Sequence, residues 1–304
     1  MTSRKIRVAV LGTGNIGTDL AERLLSDEEF ELVAFVGRRS DSPGLERMKS
    51  RIPNLISNGF EGLEALLGGL DGVFDATSAL DHLDHWPTIQ THGKWVIDLT
   101  PSRLGSPMVP ELLGRHESMA LSTGFSVNYS MVTCGGQSAA PLIFGMGKAA
   151  KGAVRLEISS SISSKSAGPA TRRNLEQYIS ATENLASLLV PGVPTKAILV
   201  LNPIEPPAMM RTTVSIEAGS FDLELAKSEV NRIVEQVNHY VPGYSMVVEP
   251  HLTSAGSISA TVKVTGQGFF LPDYAGNLDI INSAAVETAR RHMASFVEGA
   301  SNVV

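Results

Sequence analysis

The sequence predicts an α/β fold in two domains, a doubly wound parallel sheet of the Rossmann type followed by an α+β domain with a mixed sheet. Near the N-terminus, a largely apolar segment, Ile6–Leu11, runs into a glycine-rich turn and then into a helical pattern. Beyond residue 150, apolar and polar residues alternate in several segments, as in strands with one buried face. The length of 304 residues suits two domains.

Composition and charge narrow the classes of function. The formal net charge is −6, which argues against a nucleic-acid partner and does not favour an anionic membrane surface. One cysteine is present, so the chain suits a reducing compartment. The N-terminus lacks the apolar core of a signal peptide, and no run approaches the roughly 18 apolar residues of a membrane span. We therefore expect a cytoplasmic protein without nucleic-acid or membrane partners, and we predict no metal site.

The glycine-rich turn GTGNIG (12–17) follows the first predicted strand and opens a helix over about residues 15–26. Gly12 would make the tight turn, Gly14 would let a pyrophosphate approach the backbone, and Gly17 would let the helix pack on the strand. The helix N-terminus supplies an anion site. In this context the spacing predicts dinucleotide binding rather than a purely structural turn.

The second predicted strand, residues 32–36, is followed by Arg38 and Arg39. In NAD sites an acidic residue near this point binds the adenosine ribose, whereas arginine can pair with the 2′-phosphate of NADP. Two interpretations stay open, a site that accepts NADP and a solvated basic loop next to Asp41.

Two further buried strands end in polar residues, one at Asp75 and the other at Asp98. Because ligands of open parallel sheets bind outside the carboxyl ends of the strands, these ends are expected to line the ligand crevice. Thr77 is placed near the cofactor. Both aspartates can also be turn formers, and for Asp98 we favour the structural interpretation.

The only cysteine lies in the stretch MVTCGGQ (131–137), directly before an apolar helical run over residues 139–150. A sulfur near a helix N-terminus has backbone N–H groups beside it that lower the thiol pKa and can receive a developing oxyanion. A lone cysteine is often only a small buried apolar residue. The two glycines and the polar neighbours Thr133 and Gln137 favour a nucleophile at Cys134. None of the seven histidines stands in an evident catalytic motif, and we assign none.

The second half of the chain alternates strands and helices. Strands are predicted at 154–162, 196–201, 211–218, 244–249 and 257–265, and helices at 171–189 and 222–241. A last helix begins at Ala275 and is expected to return to the first domain, which would bring Asn277 towards the cofactor. The predicted boundaries are 1–130 with 275–304 for the dinucleotide-binding domain, and 131–274 for the catalytic and oligomerisation domain.

These features together suggest one reaction class. A cysteine thiolate attacks an aldehyde, a hydride leaves to a nicotinamide, and the remaining thioester is released by a second nucleophile. Two alternatives remain, a phosphate-using or hydrolytic semialdehyde dehydrogenase and a nucleotide-binding partner subunit that has lost its chemistry.

At this point a family resemblance becomes specific. The chain resembles the acylating acetaldehyde dehydrogenases that work beside 4-hydroxy-2-oxovalerate aldolase in aromatic and sterol degradation. The matching stretches are VAVLGTGNIGTDL (8–20), VFDATSA (73–79), IDLTP (97–101), VNYSMVTCGGQ (127–137), SISSKSAGPATR (161–172), LNPIEPPAMMR (201–211) and LPDYAGNLDI (271–280). The resemblance implies a catalytic domain of the semialdehyde and glyceraldehyde-phosphate dehydrogenase type and a homo-oligomer. It also implies oxidation of acetaldehyde or propanal with NAD, or NADP, and coenzyme A to acyl-CoA, with the aldolase as a further partner.

The same resemblance assigns roles to residues. Cys134 would carry the acyl thioester, residues 13–16 would hold the pyrophosphate, the loop 166–174 would contact the cofactor, and Asn277 would hold its nicotinamide end. From the residues alone, the 166–169 segment is an ordinary helix N-terminus. The residues assigned to the cofactor are Gly12, Thr13, Gly14, Asn15, Ile16, Arg38, Arg39, Thr77, Ser166, Ala167, Gly168, Pro169, Asn174 and Asn277.

Several departures from the family pattern bear on function. Relatives usually carry an acid after the arginine of PPxxMR, and that acid is thought to assist the cysteine, but here Arg211 is followed by Thr212. Arg38 and Arg39 replace a region that is usually acidic, Ala170 stands where glycine is usual, and residues 250–268 form a shorter stretch than usual. These changes permit a different acyl group, a different nucleotide or a lost aldolase partner. Which group replaces the acid at Thr212 stays open.

Overall fold

The computed structural model describes residues 4–301 except 123 and 125, and these residues form two compact units. The first unit contains the chain up to residue 108, residues 121–131 and the chain from 285 onward. The second contains residues 109–120 and 132–284.

The first unit is built on a parallel sheet. Its elements are β1 (Ile6–Leu11), α1 (Asn15–Ser26), β2 (Phe30–Val36), α2 (Pro43–Arg47), β3 (Asn54–Ile56), α3 (Phe60–Glu64), β4 (Gly72–Asp75), α4 (Ala79–Thr91), β5 (Trp95–Asp98), β6 (Ser106–Pro107) and β7 (Asn128–Ser130). Within the described residues, the strand order is β3-β2-β1-β4-β5-β7-β6 and every pair is parallel. Residues 8–11 of β1 are at most 1% exposed, as expected for a strand covered on both faces. The order around β1 is that of the predicted doubly wound sheet.

The second unit is built on a mixed sheet. Its elements are α5 (Cys134–Ala149), β8 (Ala150–Ser163), α6 (Pro169–Arg173), α7 (Leu175–Leu189), β9 (Thr195–Asn202), β10 (Met210–Phe221), α8 (Leu223–Asn238), β11 (Tyr244–Leu252), β12 (Ser257–Val264) and α9 (Gly276–Ser301), whose later turns belong to the first unit. The strand order is β11-β12-β10-β8-β9, antiparallel except for the β8–β9 pair. Helix α5 packs against α7, α8 and β10, which is why its sequence is apolar almost all round. The predicted fold class is thus confirmed.

One predicted helix is divided in the structure. Residues 171–189 form the end of α6 and the whole of α7, and Asn174 between them has φ −114° and ψ 31°, outside the helical region. Neither glycine nor proline stands between Thr171 and Leu175, so the sequence carries no marker of the break.

Two segments lie in a different unit from the one predicted. Residues 109–120 belong to the second unit, because the 3₁₀ turn Pro110–Leu112 packs against α8 and the ring of His116 lies 6.4 Å from that of Phe144. The first turns of α9 also belong there, because the Gln267 N–H donates to Asp279 Oδ1 at 3.0 Å. Asn277 is therefore in the same unit as Cys134, and only the later turns of α9 belong to the first unit.

Two kinds of feature are absent from the described residues. Among residues 4–301 without 123 and 125, no helix is both long and apolar enough to cross a membrane. The same residues contain no group of three or more His, Cys, Asp or Glu side chains arranged to hold a metal ion.

Candidate active site

Cys134 is the first residue of α5, and the start of this helix is fixed by a side-chain cap. Thr133 Oγ1 accepts the Gly136 N–H at 2.8 Å. Thr182 of α7 supports the cap, with its Oγ1 2.8 Å from Thr133 Oγ1, and it also donates to the carbonyl of Tyr178 at 2.9 Å. The sulfur therefore lies at the end of a helix where the aligned peptide dipoles favour a negative charge.

The chain enters this helix through a strained residue. Val132 has φ +60°, a left-handed conformation that β-branched residues rarely adopt. Such outliers concentrate at functional sites, where the surrounding structure holds them in place. Strain two residues before the cysteine supports the interpretation of this turn as a functional one.

Tyr178 of α7 lies directly against the candidate nucleophile. Its Oη is 3.4 Å from Cys134 Sγ and accepts the N–H of Gly135 at 2.7 Å. A Cβ atom on Gly135 would lie only 2.2 Å from this oxygen. A glycine after the cysteine is thus required by the tyrosine that packs there.

The expected oxyanion site is not formed by the two glycines. The N–H of Gly135 is bonded to Tyr178, and that of Gly136 is bonded to Thr133. The sequence analysis expected backbone N–H groups here to bind an oxyanion. In the folded chain both N–H groups instead donate to side-chain oxygens, one in a tertiary contact and one in the helix cap.

A cluster of buried hydroxyl groups adjoins the first turn of α5. Thr212 Oγ1 of β10 lies 2.6 Å from Ser138 Oγ and 3.0 Å from Ser160 Oγ. Ser138 Oγ also donates to the carbonyl of Gly135 at 3.1 Å. Position 212 therefore contributes hydrogen bonds without a carboxylate charge.

Burial controls protonation at this site. It raises the pKa of the Cys134 thiol, against the opposite effect of the hydrogen bonds from Tyr178 and the Gly135 N–H. Burial also raises the pKa of Tyr178 well above its ordinary value, and the neighbouring Cys134 adds to this shift. The phenol hence stays protonated near neutral pH. In the free protein, burial therefore opposes the lowered thiol pKa that was predicted from the helix N-terminus.

The glycine turn of the first unit has the geometry that dinucleotide binding needs. Gly12 has φ +100°, and a Cβ there would lie 2.4 Å from the carbonyl oxygen of Ala76. At Gly17 a Cβ would lie 1.9 Å from the Gly12 oxygen. Gly14, the N-cap of α1, faces open space, with nothing within 4 Å of its Cβ position. The outer glycines are required by packing, and the middle one leaves room for a ligand.

Neighbouring residues hold this turn in place. Thr13 Oγ1 accepts a hydrogen bond from Ser42 Oγ at 2.7 Å, so its side chain faces the protein. Asn15 and Ile16 are the first two residues of α1. At the end of β4, Thr77 N donates to Asp75 Oδ1 at 3.0 Å, and its hydroxyl contacts the same oxygen.

Both arginines after β2 are exposed and paired with aspartates. Arg38 Nη1 is 3.1 Å from Asp81 Oδ1, and Arg39 makes two hydrogen bonds to Asp41, at 2.9 and 2.8 Å. The Arg39 guanidinium lowers the pKa of Asp41. A nucleotide phosphate at this position would compete with Asp41 for Arg39.

A buried charge cluster lies at the carboxyl ends of β4 and β5. Asp75 Oδ2 is 3.0 Å from His82 Nδ1 and 2.9 Å from His85 Nδ1. His82 Nε2 is 3.6 Å from Asp98 Oδ2 and 2.9 Å from the Asn128 amide nitrogen. Asn128 Oδ1 is buried without a partner among the described residues, and rotating this amide would let its oxygen accept a hydrogen bond from His82 Nε2.

The pKa shifts in this cluster favour the charged forms of Asp75 and His82. Burial would raise the pKa of Asp75, but its hydrogen bonds with His82 and His85 hold it well below the ordinary value. Burial would lower the pKa of His82, but Asp75 and Asp98 together raise it. Burial raises the pKa of Asp98 to about 6. Asp98 also accepts the N–H of Thr100 at 2.7 Å, which fits the structural interpretation of this residue.

The remaining predicted cofactor residues lie in the second unit. The loop at Ser166, Ala167 and Gly168 is closed by Arg172, whose Nε donates to the Ala167 carbonyl at 3.1 Å. Pro169 is the first residue of α6, and Asn174 is the N-cap of α7 without a side-chain cap bond. Asn277 is 7% exposed, and in the described part of the chain its Oδ1 has no hydrogen-bond partner.

Comparison with known proteins assigns the chain to a family. Residues 134–272 match the family model described as prokaryotic acetaldehyde dehydrogenase, dimerisation, and residues 7–112 match semialdehyde dehydrogenase, NAD binding domain. The acetaldehyde dehydrogenase of Spirochaeta aurantia is 43% identical over 96% of each chain. The chain belongs to the acetaldehyde dehydrogenase family. A second member, from Pectobacterium atrosepticum, is 39% identical over 93% of this chain and 94% of its own. The predicted family and the prediction of an oxidoreductase are therefore confirmed.

Solved structures agree on the fold. Aspartate semialdehyde dehydrogenase II from Vibrio cholerae, complexed with ASA, aligns over 94% of this chain and 99% of its own, with a TM-score of 0.59 and 13% identity. A probable aspartate-semialdehyde dehydrogenase from Pseudomonas aeruginosa gives a TM-score of 0.60, covering 95% of this chain and all of its own, at 13% identity. The likeness concerns the fold alone and confirms the predicted semialdehyde dehydrogenase type.

For a chain of the acetaldehyde dehydrogenase family, the most important residue that sequence reasoning missed is Tyr178. A signal for it exists, because Tyr178 and Thr182 are four residues apart and share one face of a predicted helix. The sequence does not show that this face packs on the turn that carries Cys134. Ser138 and Ser160 were missed for the same reason.

The open space at Gly14 gives a prediction that separates binding from stability. We expect Gly14→Ala to change the free energy of unfolding by less than about 0.5 kcal/mol, because its φ of −79° suits alanine and nothing crowds the new methyl group. The affinity for NAD, measured by calorimetry, should fall about tenfold or more because the methyl group occupies the path of the pyrophosphate. The control is Gly68→Ala, another glycine with an open Cβ position. Equal NAD affinity in both variants would contradict the prediction that the pyrophosphate binds at this turn.

Proposed function

We propose that this chain is a CoA-acylating aldehyde dehydrogenase that oxidises a short-chain aldehyde, acetaldehyde or propanal, to acyl-CoA through a thioester on Cys134. The observation that carries the proposal is a single cysteine at a capped, buried helix start in a chain of the acetaldehyde dehydrogenase family. Its lone cysteine suits a reducing compartment such as the cytoplasm.

Two features of the chain fit a nicotinamide dinucleotide. Gly14 leaves room at a helix N-terminus, and Asn277 presents a buried amide oxygen that has no partner among the described residues. The description of the matching model for residues 7–112 supports the same cofactor class. The residues proposed to hold it are Gly12, Thr13, Gly14, Asn15, Ile16, Arg38, Arg39 and Thr77 of the first unit, and Ser166, Ala167, Gly168, Pro169, Asn174 and Asn277 of the second. When bound, the nicotinamide accepts the hydride that leaves the aldehyde carbon.

The chemistry of the chain itself centres on one sulfur. The Cys134 thiol loses its proton, and the thiolate forms a C–S bond to the aldehyde carbon. After oxidation the acyl group is held on Cys134 as a thioester. The thiolate of coenzyme A then bonds to the acyl carbon, the bond to Cys134 breaks, and the Cys134 thiolate leaves. Overall, aldehyde, coenzyme A and the oxidised nucleotide give acyl-CoA, the reduced nucleotide and one proton.

The surroundings of Cys134 disfavour hydrolysis of a thioester at this position. Cys134 is only 8% exposed, so bulk water has little access to a thioester at this position. In the described chain the side chain within hydrogen-bond distance of Sγ is Tyr178, whose raised pKa keeps it a neutral phenol, unable to activate water as a base. Both observations argue against the hydrolytic alternative.

One assay separates the competing functions. The protein is mixed with acetaldehyde and NAD⁺ or NADP⁺, together with coenzyme A, phosphate or neither, and the absorbance of the reduced nicotinamide is followed. We expect sustained turnover only with coenzyme A, and about one equivalent per site without an acceptor. Turnover with phosphate, or with no acceptor, would support a semialdehyde dehydrogenase of another type. No reduction in any mixture would support a nucleotide-binding subunit.

The arginines after β2 give a prediction on cofactor choice. If Arg39 binds a 2′-phosphate in place of Asp41, Arg39→Asp should lower the ratio of kcat/KM for NADP to that for NAD by about tenfold or more. Arg155→Asp, the same change at an exposed arginine of β8, should leave the ratio unaltered. An unchanged ratio in the Arg39 variant would mean that this loop does not read the ribose.

We also propose that the chain forms a homo-oligomer through its second unit. The family model that covers residues 134–272 is described as a dimerisation region. On the edge strand β9, Ile198 and Val200 point to the same side and are 50% and 44% exposed. They align with Ser159 and Ser161 of β8, so the surface is apolar and uncharged at this point.

A 4-hydroxy-2-oxovalerate aldolase is the proposed further partner, with a weaker interaction than is usual for the family. The shortened stretch 250–268 contains the end of β11 and all of β12. A shorter element removes contact area, and stable interfaces bury on the order of 1,200 Å² or more. The isolated chain is therefore proposed to act on free aldehyde without the aldolase.

A further inference from the structure

We propose that Tyr178 stabilises the Cys134 thiolate by donating its phenolic hydrogen to Sγ. The inference rests on the proposed function, because it assigns a catalytic role at the sulfur that would carry the acyl group.

The direction of the hydrogen bonds follows from the groups involved. A backbone N–H is only a donor, so Tyr178 Oη must accept from Gly135 at 2.7 Å. The single phenolic hydrogen is then free to point at Cys134 Sγ, 3.4 Å away. A thiolate accepts this hydrogen bond more strongly than a thiol does, so the contact favours the charged sulfur.

The surrounding residues fix the phenol in this position. Thr182, one turn further along α7, bonds both the carbonyl of Tyr178 and the hydroxyl of Thr133, the residue that caps α5. Gly135 is the residue that leaves space for Oη, since a Cβ there would lie 2.2 Å from it. The tyrosine is consequently tied to the same turn as the cysteine.

The phenol acts as a donor and not as a base. Its burial raises its pKa well above the ordinary value, so it remains protonated while the enzyme works. The Cys134 proton leaves to solvent base, Tyr178 keeps its own, and no group is oxidised or reduced in this step. The same donor is then present when the Cys134 thiolate is the leaving group in transfer to coenzyme A.

The hydroxyl of Thr212 contacts other hydroxyl groups. It lies within hydrogen-bond distance of Ser138 and Ser160, and it does not ionise near neutral pH. The side chain that can donate a hydrogen bond to the Cys134 sulfur is therefore Tyr178 of α7, and not Thr212 of β10.

The test is the pH dependence of Cys134 alkylation by iodoacetamide in the full chain without substrates. Because Cys134 is the only cysteine, every alkylated thiol reports this site. We expect Tyr178→Phe to move the midpoint to higher pH by about one unit or more, as befits the loss of a hydrogen bond to a charged group. The rate at pH 7 should fall about tenfold. The pH profile of kcat/KM should shift in the same direction.

The matched control is Tyr244→Phe, which also removes a buried phenol of the second unit. Its Oη donates to the Ser138 carbonyl at 2.8 Å, and this variant should keep the wild-type midpoint. A midpoint in Tyr178→Phe that is unchanged or lowered, or shifted equally in both variants, would overturn the role of Tyr178. The alkylation needs no turnover, so these outcomes are distinct from failure of the proposed function, which a wild-type chain without CoA-dependent turnover would show.

Discussion

Cys134→Ala is expected to abolish aldehyde-dependent reduction of the nucleotide, with a loss in kcat on the order of 10⁴-fold or more, because no other group in the chain offers a thiolate. Alanine suits the first turn of a helix, and the Thr133 cap of α5 does not involve the sulfur. The variant should therefore melt within a few degrees of wild type and bind NAD with equal affinity. Steady-state kinetics, calorimetry and thermal unfolding on the same preparations measure these three quantities.

The three measurements have to be compared together. Lost turnover accompanied by lost folding would only show that the alanine variant is damaged. Lost turnover with intact NAD binding is the pattern of a missing nucleophile. Turnover of Cys134→Ala close to wild type would contradict the thioester mechanism.

The largest effect on stability is expected at His82. Replacing His82 with leucine should lower the free energy of unfolding by about 3–5 kcal/mol, since the change removes one of the two histidines that contact the buried Asp75 carboxylate. Urea unfolding at pH 7 measures the loss. His92→Leu is the control, because His92 is an exposed residue next to the same helix and should change the free energy by less than about 0.5 kcal/mol.

This stabilisation has a defined pH window. The pKa of His82 is raised in the folded chain, so its contribution is complete below the ordinary value of 6.5 and is lost as the pH rises through the folded-state pKa. The pKa of Asp75 is lowered, so its contribution is present above 3.8 and is lost as the pH falls. The difference between wild type and His82→Leu should be largest between about pH 4 and 6.5 and should narrow at higher pH. A difference that grows steadily up to pH 9 would contradict the assignment of a charged His82.

The parts of the fold that could be predicted from sequence are those with local causes. The turn at Gly12, Gly14 and Gly17 follows directly after a strand, and the spacing of the three glycines is visible within one short segment. The strands of the second unit were predictable because one face is buried and the side-chain period is two. The observed ends of strands and helices differ from the predicted ends by a few residues. One example is α8, which was predicted over residues 222–241 and spans Leu223–Asn238 with Asp222 as its N-cap.

The parts of the site that could not be predicted depend on tertiary packing. Nothing in the sequence states that α7 crosses the first turn of α5, so the contact of Tyr178 with Cys134 is invisible before folding. The same contact takes the Gly135 N–H from the expected oxyanion site. The thiol pKa was predicted from its helix position, whereas the burial of the sulfur, which raises the pKa, appears only in the folded chain.

The most direct test of the central claim is the mass of the peptide that carries Cys134 after one turnover without coenzyme A. Wild-type protein is mixed with acetaldehyde and NAD⁺, quenched in acid and digested. The expected result is one acetyl group on Cys134 for each equivalent of reduced nicotinamide, lost again as acetyl-CoA when coenzyme A is added before the quench. Reduced nicotinamide formed in stoichiometric amount with no acetyl group on Cys134 would contradict the proposed mechanism.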